Sequence, residues 1–272
     1  MPMYMRFPDG KGKCLTLSYD DGVIQDKRLI DILKPYGIKA TFNINSGLFA
    51  EQDAATHGRM SLSQVKNTYL GSGHEVATHA VTHPHLTDLS VPAITDEIWN
   101  DRRQLEEQFG GIVRGFAYPY GLFNDTVVDV LKTAGIAYAR TTISTGDFRL
   151  PTDWLRLTAT CHHNNPALPQ LTERFVTQSP TGDGWLFYLW GHTYEFDGND
   201  NWQVIEEFAA KVGNREDVWY ATNIEVYDYI TAYRNLCFST DEKCVHNPSA
   251  LTVYFEKDGE LVTVLAGETK VI

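Results

Sequence analysis

Leu17-Ser18-Tyr19-Asp20-Asp21-Gly22 is the stretch on which the fold turns. It closes an apolar, strand-like run over 13–19 with two adjacent carboxylates and a glycine, and a helical pattern follows over 23–36. A strand that ends in this way delivers acid groups to the rim where parallel sheets and β/α barrels keep their chemistry. The competing reading is a plain turn, because Asp and Gly both favour turns.

Outward from this point, strand and helix alternate. Apolar runs predict strands at 39–44, 75–78, 113–117, 136–141, 154–161, 185–190 and 218–222. Between them lie helical patterns. One opens at Ser61 with Gln64 completing a capping box, one at Ser90 with Pro92 behind it, and one at Asn124. Others cover 171–176, 204–212 and 224–236. Such alternation without sequence repeats implies a parallel sheet with right-handed crossovers. The number of units favours a closed or nearly closed α/β barrel, (β/α)7-8, over an open sheet. After Leu236 the pattern changes: 251–255 and 261–265 flank Lys257-Asp258-Gly259 and read as a β-hairpin. The expected organisation is a barrel over 1–236 with 237–272 as a hairpin appendage packed on it.

The chain has 272 residues, 43% hydrophobic and 21% charged, enough for one large domain with a sizeable core. A net charge of −12 argues against nucleic acid as a partner, since phosphate binding relies on Lys and Arg. No uncharged run reaches the length of a membrane span. The first eight residues lack a basic segment followed by an apolar core, so a cytoplasmic address is the default expectation. Four cysteines are too few for a disulfide scaffold; Cys237 and Cys244 either bridge across a loop or stay reduced.

The polar residues that stand out fall at predicted strand ends, positions that converge on one face of a barrel however distant they are in sequence. They are Asp20 and Asp21, then His79 and His83, then Tyr118 to Gly121, then His192. His79 and His83, four apart, make with one carboxylate a His₂Asp set of the kind that holds a catalytic zinc and leaves positions open. Other divalent metals accept the same ligands. Pro84 bars a regular helix through the pair, which therefore sits in a strand-to-loop turn. Tyr19, Tyr118, Trp154, Trp190 and Tyr194 lie near strand ends, where aromatic rings can stack on sugars. His57, His74 and His246 have no partner signal and read as structural or solvated. Gly-x-Ser-x-Gly, P-loop and dinucleotide fingerprints are absent from the sequence, against serine hydrolase, kinase and NAD enzyme.

Taken in order, LSYDDG (17–22), HAVTHPHLT (79–87), FAYPYG (116–121) and LWGH (189–192) resemble the motifs of the polysaccharide deacetylase family, the NodB-homology group of carbohydrate esterase family four. The resemblance covers roughly residues 13 to 236. It implies a distorted β/α barrel that uses a divalent metal, zinc first with cobalt, nickel, manganese or iron as alternatives, to remove acetyl groups from an acetylated glycan. It also implies Asp20 as catalytic base, Asp21, His79 and His83 as metal ligands, Tyr120 in the substrate groove, and His192 as general acid. The expected substrate is an N-acetylglucosamine-type poly- or oligosaccharide. The alternatives are an O-acetyl esterase of the xylan type and a catalytically silent glycan-binding barrel.

Three positions depart from the family pattern. Where the family places an arginine that holds the base, this chain has Ala117; Arg140 is the candidate replacement, against an ordinary surface ion pair. The family's Trp-and-Asp motif, whose Asp orients the catalytic His, has no clean match. Asp153-Trp154 is similar in letters, while Thr160-Cys161-His162-His163 ends a predicted strand and makes His162 and His163 candidates for that part of the site. Trp190 stands where the family has Leu and offers an apolar wall for an acetyl methyl.

Overall fold

A computed structural model describes residues 3–272. The chain opens with a short strand, β1 (Met3–Arg6), and then β2 (Lys13–Asp20), every residue of which is buried. A strand covered on both faces is what a near-continuous apolar run produces. The order continues α1 (Asp26–Leu33), β3 (Ala40–Ile44), α2 (Leu62–Tyr69), β4 (Glu75–Thr78), α3 (Val91–Phe109), β5 (Gly115–Ala117), α4 (Asp125–Thr133) and β6 (Tyr138–Ser144). Then come β7 (Leu157–Ala159), β8 (Cys161–His162), α5 (Leu168–Thr177), β9 (Trp185–Gly191), α6 (Tyr194–Gly198), α7 (Gln203–Val212), β10 (Val218–Tyr220) and α8 (Asn223–Arg234). The predicted caps form: Ser61 and Gln64 make a full capping box on α2, and the Asn124 side chain accepts from Val127 N on α4.

The strands run β7-β6-β5-β4-β3-β2-β9-β8, all pairs parallel, as the alternation requires. β10 pairs with β2 at Lys13 to Leu15, while β3 pairs with it farther along, at Leu17 to Asp20. The expected single strand over 154–161 is corrected. Trp154–Arg156 is a 3-10 turn capped by the Asp153 side chain, and the strand itself breaks at Thr160. The break is how the barrel closes. β7 pairs with β6 and β8 with β9, the two far edges of the sheet; between them Thr160 N donates to Tyr188 O (2.8 Å) and Gly146 N donates to Thr160 O (2.9 Å).

Alternation along each strand sorts its side chains by layer. Leu15, Leu17 and Tyr19 of β2, with Phe42 and Ile44 of β3 and Phe187 and Leu189 of β9, pack under the helices in the main apolar core. The intervening residues point into the barrel, and many are polar. Thr16 Oγ1 donates to Asn223 Oδ1 (2.8 Å) and Asn223 Nδ2 to Tyr188 OH (2.7 Å). Thr41 Oγ1 and Tyr138 OH each donate to a different oxygen of Glu75 (2.8 Å). These bonds pair the buried side chains of Thr16, Thr41, Tyr138, Tyr188 and Asn223, and the polar interior rises toward Asp20 at the rim.

Beyond α8 lie β11 (Cys237–Phe238), β12 (Cys244–His246), β13 (Val253–Lys257), β14 (Glu260–Val264) and β15 (Thr269–Val271). β13 and β14 form the hairpin foreseen around Asp258-Gly259, both turn residues having positive φ (56° and 87°), as a two-residue type I′ turn demands. β1 adds to β13, so the first described strand joins this C-terminal sheet. Ala232 and Leu236 pack against Val245, Val253, Phe255 and Val264. Across β11 and β12, Cys237 faces His246, and all four cysteines are free thiols.

Candidate active site

The site gathers at the C-terminal ends of β2, β4, β6 and β9. Asp20 ends β2 and is buried. Its Oδ1 accepts from Asn43 Nδ2 (2.8 Å), and its Oδ2 accepts from Arg140 Nη2. Arg140, on β6, is itself fully buried and sits over the Trp190 ring, its guanidinium carbon 4.4 Å from the centroid. The alternative of a surface ion pair for Arg140 is thereby ruled out. Burial pushes the Asp20 carboxyl up, but the Arg140 cation first, then His79 and His192, outweigh it and bring its pKa down to about 2.

Asp21 turns the chain out of the strand with φ 87°. Its Oδ1 accepts from Arg59 Nη2 (2.9 Å) and lies 3.9 Å from His83 Nε2. Arg59 also reaches Asn45 Oδ1 (2.8 Å), and Asn45 Nδ2 in turn holds the carbonyls of His79 (2.5 Å) and Ala80 (2.8 Å). The strained positive φ of Ala80 (64°) and His83 (57°) belongs to the same turn, which folds the two imidazoles together with centroids 4.7 Å apart.

His79 is buried, and its Nδ1–H donates to Ala117 O (2.7 Å), which leaves the Nε2 lone pair facing the site. So the strand end that lacks the family's arginine supplies a carbonyl to a histidine. Asp101, deep on α3, receives Ser46 N (2.7 Å), the Thr78 hydroxyl and His79 N (3.1 Å), and fixes the backbone from behind. Burial drives the His79 pKa down to about 4 and also lowers that of His83, so both rings are neutral at pH 7. Ligand atoms of Asp21, His79 and His83 lie within 4.8 Å of one another, so the three can converge on one ion. Neutral imidazoles with one carboxylate, one ring nitrogen being held by a carbonyl, form a donor set that fits a divalent metal.

His192 ends the β9 motif, with Nε2 3.8 Å from Asp20 Oδ2 and Nδ1 3.2 Å from Glu195 Oε1. Burial lowers its pKa, yet the hydrogen bond to Glu195 and the charge of Asp20 prevail and raise it above the ordinary value. His162 and His163 stand beside it on the β8 side, their Nε2 atoms 3.1 and 2.9 Å from Glu195 Oε2. Tyr120, with φ 57°, is exposed and stands edge-on to His83 and His85 (4.5 and 4.3 Å between centroids). Trp190 is buried under Arg140, edge-on to His162 at 4.5 Å.

Two expectations are corrected here. Tyr118 is not on the groove: its ring is buried against Phe116 and Phe123, and its hydroxyl donates to Leu155 O (2.7 Å). Trp154 packs on Tyr227, away from the rim, and Asp153 is spent on its cap and on Arg156. Sequence reasoning missed Arg59, Asn43, Asn45, Asp101 and Glu195. Of these only Glu195 carried a signal, its position three residues after His192.

The polysaccharide deacetylase family profile matches residues 8–139, the part that brings Asp20, Asp21, His79, His83 and Tyr120 to the rim. Over this stretch, just under half of its length, the chain is similar to the polysaccharide deacetylases. A chitooligosaccharide deacetylase of Sinorhizobium fredii is 27% identical over 143 residues, covering 52% of this chain and 59% of that protein. A poly-beta-1,6-N-acetyl-D-glucosamine N-deacetylase of Staphylococcus aureus is 31% identical over 117 residues, 39% of this chain and 40% of that protein. The chain thus spans about half the length of the curated relatives it matches. In fold it is similar to the Xyl-CE4 domain of a multidomain xylanase from the hindgut metagenome of Trinervitermes trinervoides, with TM-score 0.55 and 20% identity over 81% of this chain and 92% of that one. No helix among the described residues is long and apolar enough to cross a membrane.

Proposed function

We propose that this chain is a metal-dependent hydrolase that removes N-acetyl groups from an N-acetylglucosamine-type poly- or oligosaccharide. The observation that carries the reading is the position of Asp20, charged and fixed between Arg140 and Asn43, with His79 Nε2 at 3.9 Å and His192 Nε2 at 3.8 Å from one of its oxygens. Base, acid and metal-ligand candidates therefore share one rim.

Asp21, His79 and His83 would hold the metal, with zinc the first choice for two imidazoles and one carboxylate. When bound, it supplies Lewis-acid polarisation of the acetyl carbonyl and lowers the pKa of the attacking water. Asp20 takes the proton from that water. A carboxylate with a pKa of about 2 is a weak base, so it serves only against water already acidified, and Arg140 keeps it ionised for the task. His192 donates from Nε2 to the departing amine; its raised pKa keeps it protonated to a higher pH than a free imidazole would be. The backbone N–H of Tyr120 is the candidate donor to the oxyanion, and its exposed ring forms one wall of the groove for the sugar.

Acetate release from N-acetylated oligosaccharides, with and without chelator, tests the proposal. Release that stops on chelation and returns with zinc is expected; release indifferent to chelator overturns the metal mechanism. A parallel assay on acetylated xylan separates amide from ester as the natural bond.

A further inference from the structure

We infer that Glu195, braced by His162, is a positioning residue that fixes the imidazole of His192 for proton donation. The inference rests on the deacetylase reading above and assigns a residue that reading leaves without a role.

Glu195 lies in α6, three residues after His192, and its two oxygens are divided between different partners. Oε1 faces His192 Nδ1 at 3.2 Å, while Oε2 faces His162 Nε2 at 3.1 Å, His163 Nε2 at 2.9 Å and Asn164 Nδ2 at 3.4 Å. The tautomer of His162 follows from its other nitrogen. Asn164 N donates to His162 Nδ1 (3.1 Å), so the ring proton sits on Nε2, the nitrogen 3.1 Å from Glu195 Oε2. A carboxylate that pairs with His192 Nδ1, accepts from Asn164 Nδ2 and lies 3.1 Å from His162 Nε2 on β8 has little freedom to rotate. His192 then keeps its proton-bearing Nδ1 toward Glu195 and its Nε2 toward Asp20. Packing is tight beside this pair: the His163 ring lies so close to Gly191 that any Cβ there would overlap it.

His162, His163 and Glu195 also have the composition of a metal site. The Asn164 N–H argues against that use, because His162 can offer an Nε2 lone pair only by moving its proton to Nδ1 and giving up that bond. The ionisable groups around His192 are Asp20 and Asp21 at the end of β2, Glu195 and Tyr194 from α6, and His162 and His163 at the end of β8.

The test uses the full chain, as wild type, Glu195→Met, Glu195→Gln and His162→Phe. Two substrates are compared: an N-acetylglucosamine oligosaccharide, whose amine must be protonated to leave, and p-nitrophenyl acetate, whose phenolate leaves unaided. Glu195→Met should lower kcat on the oligosaccharide about 10- to 100-fold, part of what a general acid contributes. KM and the rate on p-nitrophenyl acetate should hardly move. Glu195→Gln, which keeps one acceptor oxygen, and His162→Phe should fall less, in the same pattern. Equal losses on both substrates, or loss of a metal ion from Glu195→Met, would overturn the positioning role while leaving the deacetylase reading intact. If the wild type releases acetate from neither substrate, that reading fails, and the imidazole ¹⁵N spectrum of neutral His192 decides the positioning alone. A single Nδ1–H tautomer in the wild type that becomes a mixture in Glu195→Met supports it; the same mixture in both overturns it.

Discussion

The rim carries two clusters of the same composition, two histidines and one carboxylate: Asp21, His79 and His83 after β2 and β4, and His162, His163 and Glu195 after β8 and β9. They differ in what holds the far side of each ring. In the first, a backbone carbonyl takes the Nδ1 proton of His79 and leaves Nε2 as a lone pair. In the second, a backbone N–H fills Nδ1 of His162 and leaves a proton on Nε2. His79 therefore offers an acceptor, suited to a cation, whereas the proton of His162 lies on the nitrogen next to its own carboxylate. Ligand type alone does not distinguish a metal site from a hydrogen-bonded clamp; the partner behind each imidazole does.

The comparison breaks most visibly at His79. His79→Ala should abolish both metal binding and acetate release, whereas loss of Glu195 leaves the metal in place; elemental analysis of the two purified variants checks this. Asp20→Asn should keep the metal and the fold but lower kcat by about 10²–10⁴-fold, the range for a general base. Arg140→Met leaves Asp20 buried without its cation. That should cost ~3–5 kcal/mol of stability, read by urea denaturation, and move the acidic limb of the pH–rate profile upward as the Asp20 pKa rises.

A smaller effect tests the tie between the clusters. Asp26 on α1 is fully buried and receives Thr193 Oγ1 (2.6 Å), next to His192, and Tyr69 OH (2.5 Å). Burial above all raises its pKa from 3.8 to about 7. The folded state then binds this proton more tightly than the unfolded chain, so its contribution is fully present below pH 4 and is lost as pH rises toward 7. Glu75 and Asp101, raised by burial to about 7 and about 6, act in the same direction. Asp20 acts oppositely, its contribution vanishing only as pH falls from about 4 to about 2. Asp26→Asn should flatten the decline between pH 4 and 7 by up to ~1.4 kcal/mol per pH unit, measured as Tm against pH.

Much of the barrel was legible because buried parallel strands write continuous apolar runs, and the first cluster because strand ends converge. The break at Thr160 left no mark, since the apolar pattern runs through it and only the need to join two sheet edges forces the change of partner. β1 was unreadable for a related reason: its partner β13 is some 250 residues away, and no local pattern encodes such a pairing. Tyr118 misled because it shares a motif with Tyr120, yet the strand's alternation turns one ring into the core while the strained turn at Tyr120 leaves the other exposed. Arg59, Asn43 and Asp101 are ordinary polar residues in sequence, and only the folded backbone assigns them to Asp21, Asp20 and His79.

The account is tested most directly by the metal content of three purified proteins: wild type, Glu195→Met and His79→Ala. One divalent ion per chain in the first two and none in the third is the predicted result. Two ions in the wild type with one lost on changing Glu195, or an ion retained by His79→Ala, would contradict it.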